Sequence, residues 1–140
     1  KEGDPVKGKS SFTMLCASCH RSHGEGHTLG PELQGLSHRS VEDLVSNIID
    51  PNMAINPLYA PYAVQTKSGD TFVGVLANES ANAITLAMPL GVTRNIRREN
   101  IAELKSIGTS LMPIGLEKAL TPTELRNLIE YIRHVPHAAQ

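Results

Sequence analysis

A chain of 140 residues fits one domain, or a small domain carrying an insertion. The formal charge of −1 supplies no global field that would draw nucleic acid or an anionic membrane. No apolar run reaches the length of a membrane-spanning helix, and aromatic side chains are few, with no Trp. The side chains alone therefore offer few large apolar bodies around which to pack a core.

Asp4-Pro5 predicts a helix start, with Asp as N-cap and Pro at the first helical position. The helix is expected from about Pro5 into Cys16. Gly8 and Phe12 lie four apart and share a face. Glycine inside a helix costs about 1 kcal/mol against alanine, so Gly8 predicts the close approach of another helix.

Cys16-Ala17-Ser18-Cys19-His20 follows. A zinc site needs a second pair of soft ligands, and the chain has no further cysteine. A thioredoxin-type pair needs a strand ahead of it, and none is predicted. A structural disulfide leaves His20 without a role. Two thiols one helical turn apart, followed at once by histidine, form the attachment signature of a c-type haem. Each thiol adds to one vinyl group of the porphyrin, and His20 supplies the proximal imidazole. One covalently bound haem c would also provide the apolar body that the side chains lack.

Arg21 to Leu33 mixes glycines with polar side chains and reads as loop. Pro31 cannot donate a backbone hydrogen bond, but its carbonyl can accept one from the second nitrogen of His20. His23 and His27 sit too near His20 in sequence to reach the other face of the ring easily, and read as solvated loop residues. Ser40-Val41-Glu42-Asp43 predicts a capping box with Asp in place of Glu, opening a helix to Asp50. Leu44, Val45, Ile48 and Ile49 form its apolar stripe, and Pro51 stops it. Arg39, just ahead, is a candidate partner for a haem propionate.

From residue 63 the hydrophobic period changes. Strands are predicted over 63–67, 71–78, 83–87, 92–96 and 101–104. Their spacing resembles that of a small Sm- or SH3-like barrel; an open antiparallel sheet fits equally well. Arg94, Arg97 and Arg98 read as charges protecting a sheet edge. Thr121-Pro122-Thr123-Glu124 opens the last helix, with Leu125, Leu128, Ile129 and Ile132 as its buried stripe and Tyr131 on the same side. Its end is expected near Val135, before Pro136.

Iron held by one histidine can take a second side chain or stay open. Met14 lies beside the attachment motif and cannot reach the far face, and Met88 is assigned to the core. Met112 precedes Pro113 in a loop just before the last helix, so it is the first choice for the second ligand. Met53 and His38 are the alternatives.

With these pieces placed, the chain resembles a class I cytochrome c. Gly8 and Phe12 look like that fold's first-helix pair, with Leu128 and Tyr131 as their partners. Cys16, Cys19 and His20 match its attachment site. Gly30-Pro31-x-Leu33 matches its proximal loop, and Met112-Pro113 its axial methionine. The resemblance covers roughly residues 4–50 and 108–135. Within the family the chain is similar to the planctomycete-type haem-binding domains, through Ile48-Ile49-Asp50-Pro51, Thr66-Lys67-x-Gly69 and Ser110-Leu111-Met112-Pro113-x-Gly115-Leu116-Glu117. It implies a mainly α cytochrome c fold with a small inserted β meander or barrel, α+β overall. Residues 1–56 and 107–140 would form the haem domain, and 57–106 the insertion.

The resemblance implies outer-sphere electron transfer by iron ligated through His20 and Met112, with no substrate chemistry at the metal. The expected partner is a redox protein or a fused dehydrogenase domain, with neither nucleic acid nor direct membrane insertion involved. The insertion is expected to cover the propionate side, where Arg39, Tyr59 and Tyr62 are candidate hydrogen-bond donors. Electrons are expected to pass at the thioether edge, near Ala17 and Ser18. A haem-based gas sensor or peroxidase-like enzyme with a labile distal ligand is the alternative. An interaction module, with the β part as binder, is a third reading. Haem attachment of this kind happens outside the cytoplasm, so the chain is expected to be periplasmic or otherwise extracytoplasmic, as a mature product or an excised domain.

Overall fold

The computed structural model describes residues 3–134. Three α-helices and a five-stranded sheet make an α+β architecture with two buried clusters. Among the described residues, no helix is long and apolar enough to cross a membrane.

Helix α1 (Pro5–Leu15) starts where Asp4 caps the amides of Val6 and Lys7. Helix α3 (Pro122–Arg133) opens with a complete capping box. Thr121 Oγ1 accepts from the Glu124 amide at 3.1 Å, and Glu124 Oε1 accepts from the Thr121 amide at 3.0 Å. Hydrogen bonding from the Thr121 backbone amide, and secondarily from its side chain, holds the Glu124 carboxyl below its ordinary pKa. Helix α3 ends at Arg133, two residues before the expected Val135, with His134 as its C-cap; Val135 and Pro136 lie outside the described residues.

The two helices pack closely through Gly8. A side chain at Gly8 would run into the Asn127 carbonyl and come within 2.8 Å of Tyr131 Cβ. Phe12 and Tyr131 meet beside this contact, with ring centroids 5.3 Å apart in a tilted pair. Asn127 also ties the helix ends together, its Oδ1 accepting from the Asp4 amide at 2.7 Å.

Helix α2 (Val41–Ile49) buries Leu44 and Ile48 against the same core. Its entry is half of the expected capping box. Ser40 Oγ accepts from the Asp43 amide at 3.1 Å, but the carboxylate does not reach back. Aspartate is one methylene shorter than glutamate, and Asp43 instead binds Arg39 at 2.9 Å and Asn47 at 3.2 Å. Ile49 departs from the predicted stripe and is 45% exposed. The stripe narrows because the helix stops at Asp50 and turns away through Pro51.

Between α1 and α2 the predicted loop contains a minimal hairpin, β1 (Arg21–Ser22) with β2 (Glu25–Gly26). Between α2 and α3 lie β3 (Pro61–Thr66), β4 (Thr71–Glu79), β5 (Ala83–Ala87), β6 (Thr93–Arg97) and β7 (Ile101–Ser106). They form one antiparallel sheet in the order β6-β5-β4-β3-β7. Strands β6 and β7 are its two edges, so the sheet is open, not a closed barrel. Register brings Val64 beside Phe72 and Leu104, Leu76 beside Leu86, and Ile84 beside Ile96. That alternation puts one apolar set on one face, as a period of two requires. The three arginines are engaged locally. Arg94 stacks over Phe72 at 4.8 Å, Arg97 pairs with Glu99, and Arg98 pairs with Glu79.

Candidate functional site

Helix α1 runs on through a further turn into the attachment motif. The amides of Cys16 and Ala17 donate to the Phe12 carbonyl, and those of Cys19 and His20 donate to the Cys16 carbonyl at 3.1 and 2.8 Å. This coiling brings Cys16, Cys19 and His20 to one cavity of about 580 Å³. Burial, and secondarily the neighbouring Cys19, push the Cys16 thiol up to about 12.

His20 is held on two sides. Its Nδ1 lies 2.7 Å from the Pro31 carbonyl, which can only accept, so Nδ1 carries the proton and Nε2 keeps its lone pair. Burial holds the imidazole below its ordinary pKa, against the opposing pull of the Pro31 bond. The Gly30 amide donates to the Cys19 carbonyl at 2.7 Å and brings the loop against the ring. A Cβ on Gly30 would stand 2.6 Å from His20 Cε1, so only glycine fits there.

The rest of the cavity comes from distant segments. Leu33, Leu44, Ile48 and Ile132 give it an aliphatic lining, and Arg39, Asn47 and Tyr59 add polar groups. Met112 reaches the same cavity from the loop before α3, its amide donating to Ser110 Oγ at 3.1 Å. Two thiols, an imidazole with a free Nε2 and a thioether in one apolar cavity suit an iron porphyrin.

Of the residues singled out from sequence, Cys16, Cys19, His20, Pro31, Leu33, Arg39, Tyr59 and Met112 all line this cavity. Tyr62 does not. It sits in β3, between Gly74 and Ser106 of the neighbouring strands. Met53 is 57% exposed and His38 is exposed, and neither lines the cavity. Met88, expected in the core, is instead half-buried beside a second cavity of about 230 Å³. His27 lines that second cavity too, while His23 turns to Ser22 Oγ at 3.1 Å.

Two features of the sheet had no local signal. Val75 of β4 lines the main cavity. The β5–β6 turn also leans on the attachment loop, with the Leu90 amide donating to the Ser18 carbonyl at 2.8 Å. Leu90 adopts φ 63°, uncommon for a bulky residue, and its side chain stays exposed. The turn thus meets the chain between the two cysteines, a contact beyond the expected cover of the propionate side. Ala17, which packs against the helical core, and Ser18 are both half-buried.

The sequence matches the cytochrome c family over residues 5–136. The chain belongs to the cytochrome c family. Family membership carries with it a covalently bound haem c, for which this cytochrome has its two cysteines. Curated relatives agree over a shorter stretch. A cytochrome c from Stellaria longipes is 50% identical over 40 residues, which are 28% of this chain and 37% of that protein. A cytochrome c from Cochliobolus lunatus is 48% identical over 40 residues, again 28% and 37%. One from Arabidopsis thaliana is 49% identical over 39 residues, 27% of this chain and 35% of its own length. The chain thus spans little more than a third of the length of the curated relatives it matches.

Proposed function

We propose that this cytochrome is a mono-haem electron carrier whose iron is ligated by His20 and Met112. The observation that carries the reading is the convergence of Cys16, Cys19, His20 and Met112 on one aliphatic cavity. Haem supplies a one-electron couple when bound. Cys16 and Cys19 fix it covalently. The Pro31 carbonyl holds the His20 proton on Nδ1 and so leaves the Nε2 lone pair, which would ligate the iron. Leu33, Leu44, Ile48 and Ile132 exclude water, which disfavours the more highly charged oxidised state and raises the potential. Met112 raises it further and fills the coordination position that substrate chemistry would need. Arg39 and Tyr59 are the polar groups available to the propionates.

The finer assignments belong to the same proposal. The chain is of the planctomycete type, with a haem domain of residues 1–56 and 107–140 interrupted by a β insertion of residues 57–106. It works in the periplasm or otherwise outside the cytoplasm, and takes electrons from a redox protein or an attached dehydrogenase domain.

The test is the ferric absorption spectrum of the matured protein beside that of Met112→Ala. The weak near-red band of sulfur–iron ligation is expected in the first and absent from the second. Its survival in the variant moves the ligand elsewhere.

A further inference from the structure

We propose that Asn52 is the positioning residue that clamps the Met112 loop to helix α2; the inference rests on Met112 as axial ligand. Residues 107–115 contain neither helix nor strand, and left-handed glycines stand near both ends, Gly108 at φ 72° and Gly115 at φ 95°. Such a segment has no ladder of its own to fix where Met112 sits. Its fixed point is the Ser110 amide, which donates to Asn52 Oδ1 at 2.6 Å across 58 residues of sequence. Ser110 hands the constraint on, its Oγ accepting from the Met112 amide.

Asn52 is well placed to act as an anchor. It lies in the turn that ends α2, where the Met53 amide donates to the Asp50 carbonyl. Helix α2 is itself seated in the core by Leu44 and Ile48. The relay therefore runs from a packed helix, through one side-chain amide and one hydroxyl, to the backbone of the ligand. Besides it, the loop is tied at its start by the Ile107 amide on the Pro61 carbonyl at 3.3 Å, and Met112 and Leu116 pack against the helical core. The first holds residue 107 and the second is side-chain packing; among the described residues, the bond to Asn52 is the hydrogen bond that ties the backbone of residues 110–112 to another element. Loss of the Asn52 acceptor leaves the Ser110 amide unpaired and lets Met112 leave the iron more often.

The experiment uses the matured holoprotein and its affinity for carbon monoxide in the reduced state, a ligand that binds only when Met112 is off. Asn52→Ala is expected to bind carbon monoxide roughly tenfold more tightly, the scale of one lost hydrogen bond. The Ser110 amide is expected to exchange its hydrogen faster. Asn52→Asp keeps an acceptor oxygen and is expected to restore both readouts. Ser110→Ala cuts the second link while sparing the first, is expected to move affinity the same way, and decides the matter if Asn52→Ala does not mature. Wild-type affinity in Asn52→Ala, or in Ser110→Ala where only that variant matures, overturns the clamp if Met112→Ala binds carbon monoxide tightly. Unchanged affinity in Met112→Ala removes the ligand assignment, and the clamp falls with it.

Discussion

Gly8→Ala sets two effects of known sign against each other. Alanine is the better helix former by about 1 kcal/mol, so propensity alone predicts a more stable protein. Packing predicts the reverse. The new methyl collides with the Asn127 carbonyl and lies 2.8 Å from Tyr131 Cβ. A backbone carbonyl cannot swing aside like a side-chain tip, so α1 and α3 must part. Overpacking of this kind costs about 1–3 kcal/mol, and an obstacle made of backbone puts it at the upper end. Separation also strains the 2.7 Å bond from the Asp4 amide to Asn127 and loosens the Phe12–Tyr131 pair. The net expectation is a loss of about 2 kcal/mol after the propensity gain. For a chain of this size that corresponds to a melting temperature lower by roughly 8 °C. Denaturant and thermal unfolding of the holoprotein, followed by far-UV circular dichroism, give the measurement. Gly35→Ala is the control, because a Cβ there meets nothing within 4 Å and its φ is not left-handed; it is expected to be neutral or stabilising by up to about 1 kcal/mol. A Gly8→Ala protein as stable as wild type, or more so, refutes the argument from packing.

Gly30→Ala is expected to tilt the His20 ring and weaken its 2.7 Å bond to Pro31, because the new methyl overlaps Cε1. A proximal histidine with a weaker acceptor is a poorer base, so the oxidised iron is less stabilised and the reduction potential rises, read by equilibrium redox titration. The Glu124 carboxyl is depressed in the folded state, so it contributes stability above its ordinary pKa of 4.5 and loses it as pH falls through the lower folded value. The stability difference between wild type and Glu124→Ala, measured by denaturant midpoints, is expected to be present at neutral pH and to shrink with acidification below about pH 4. A difference that stays constant with pH refutes the assignment of that carboxylate to the Thr121 cap.

The helix starts were legible because their signals are local. Asp4-Pro5 and Thr121-Pro122-Thr123-Glu124 each fix a terminus within a few residues, and both caps form. The attachment motif and the Pro31 carbonyl were legible because covalent and coordination chemistry dictate residue types at short spacing. The strand pattern was legible as a period of two, and the ends shifted by only a few residues. What could not be read depends on distant chain segments. Nothing around Asn52 or Asn127 announces that its side chain will accept from an amide far away in sequence. Tyr59 and Tyr62 lie three apart, and only the observed fold sends the first to the cavity and keeps the second in the sheet. Ser40-x-x-Asp43 misled as a full box, because Arg39 and Asn47 compete for the shorter carboxylate.

The bond from Leu90 to the Ser18 carbonyl also bears on when the haem is joined. Leu90, Met112 and Ile132 stand far along the chain from the pentapeptide and reach it only as the chain folds. While those segments are undocked, both sulfurs stand open to any machinery that joins a tetrapyrrole to them. The same contact that finishes the protein closes that window.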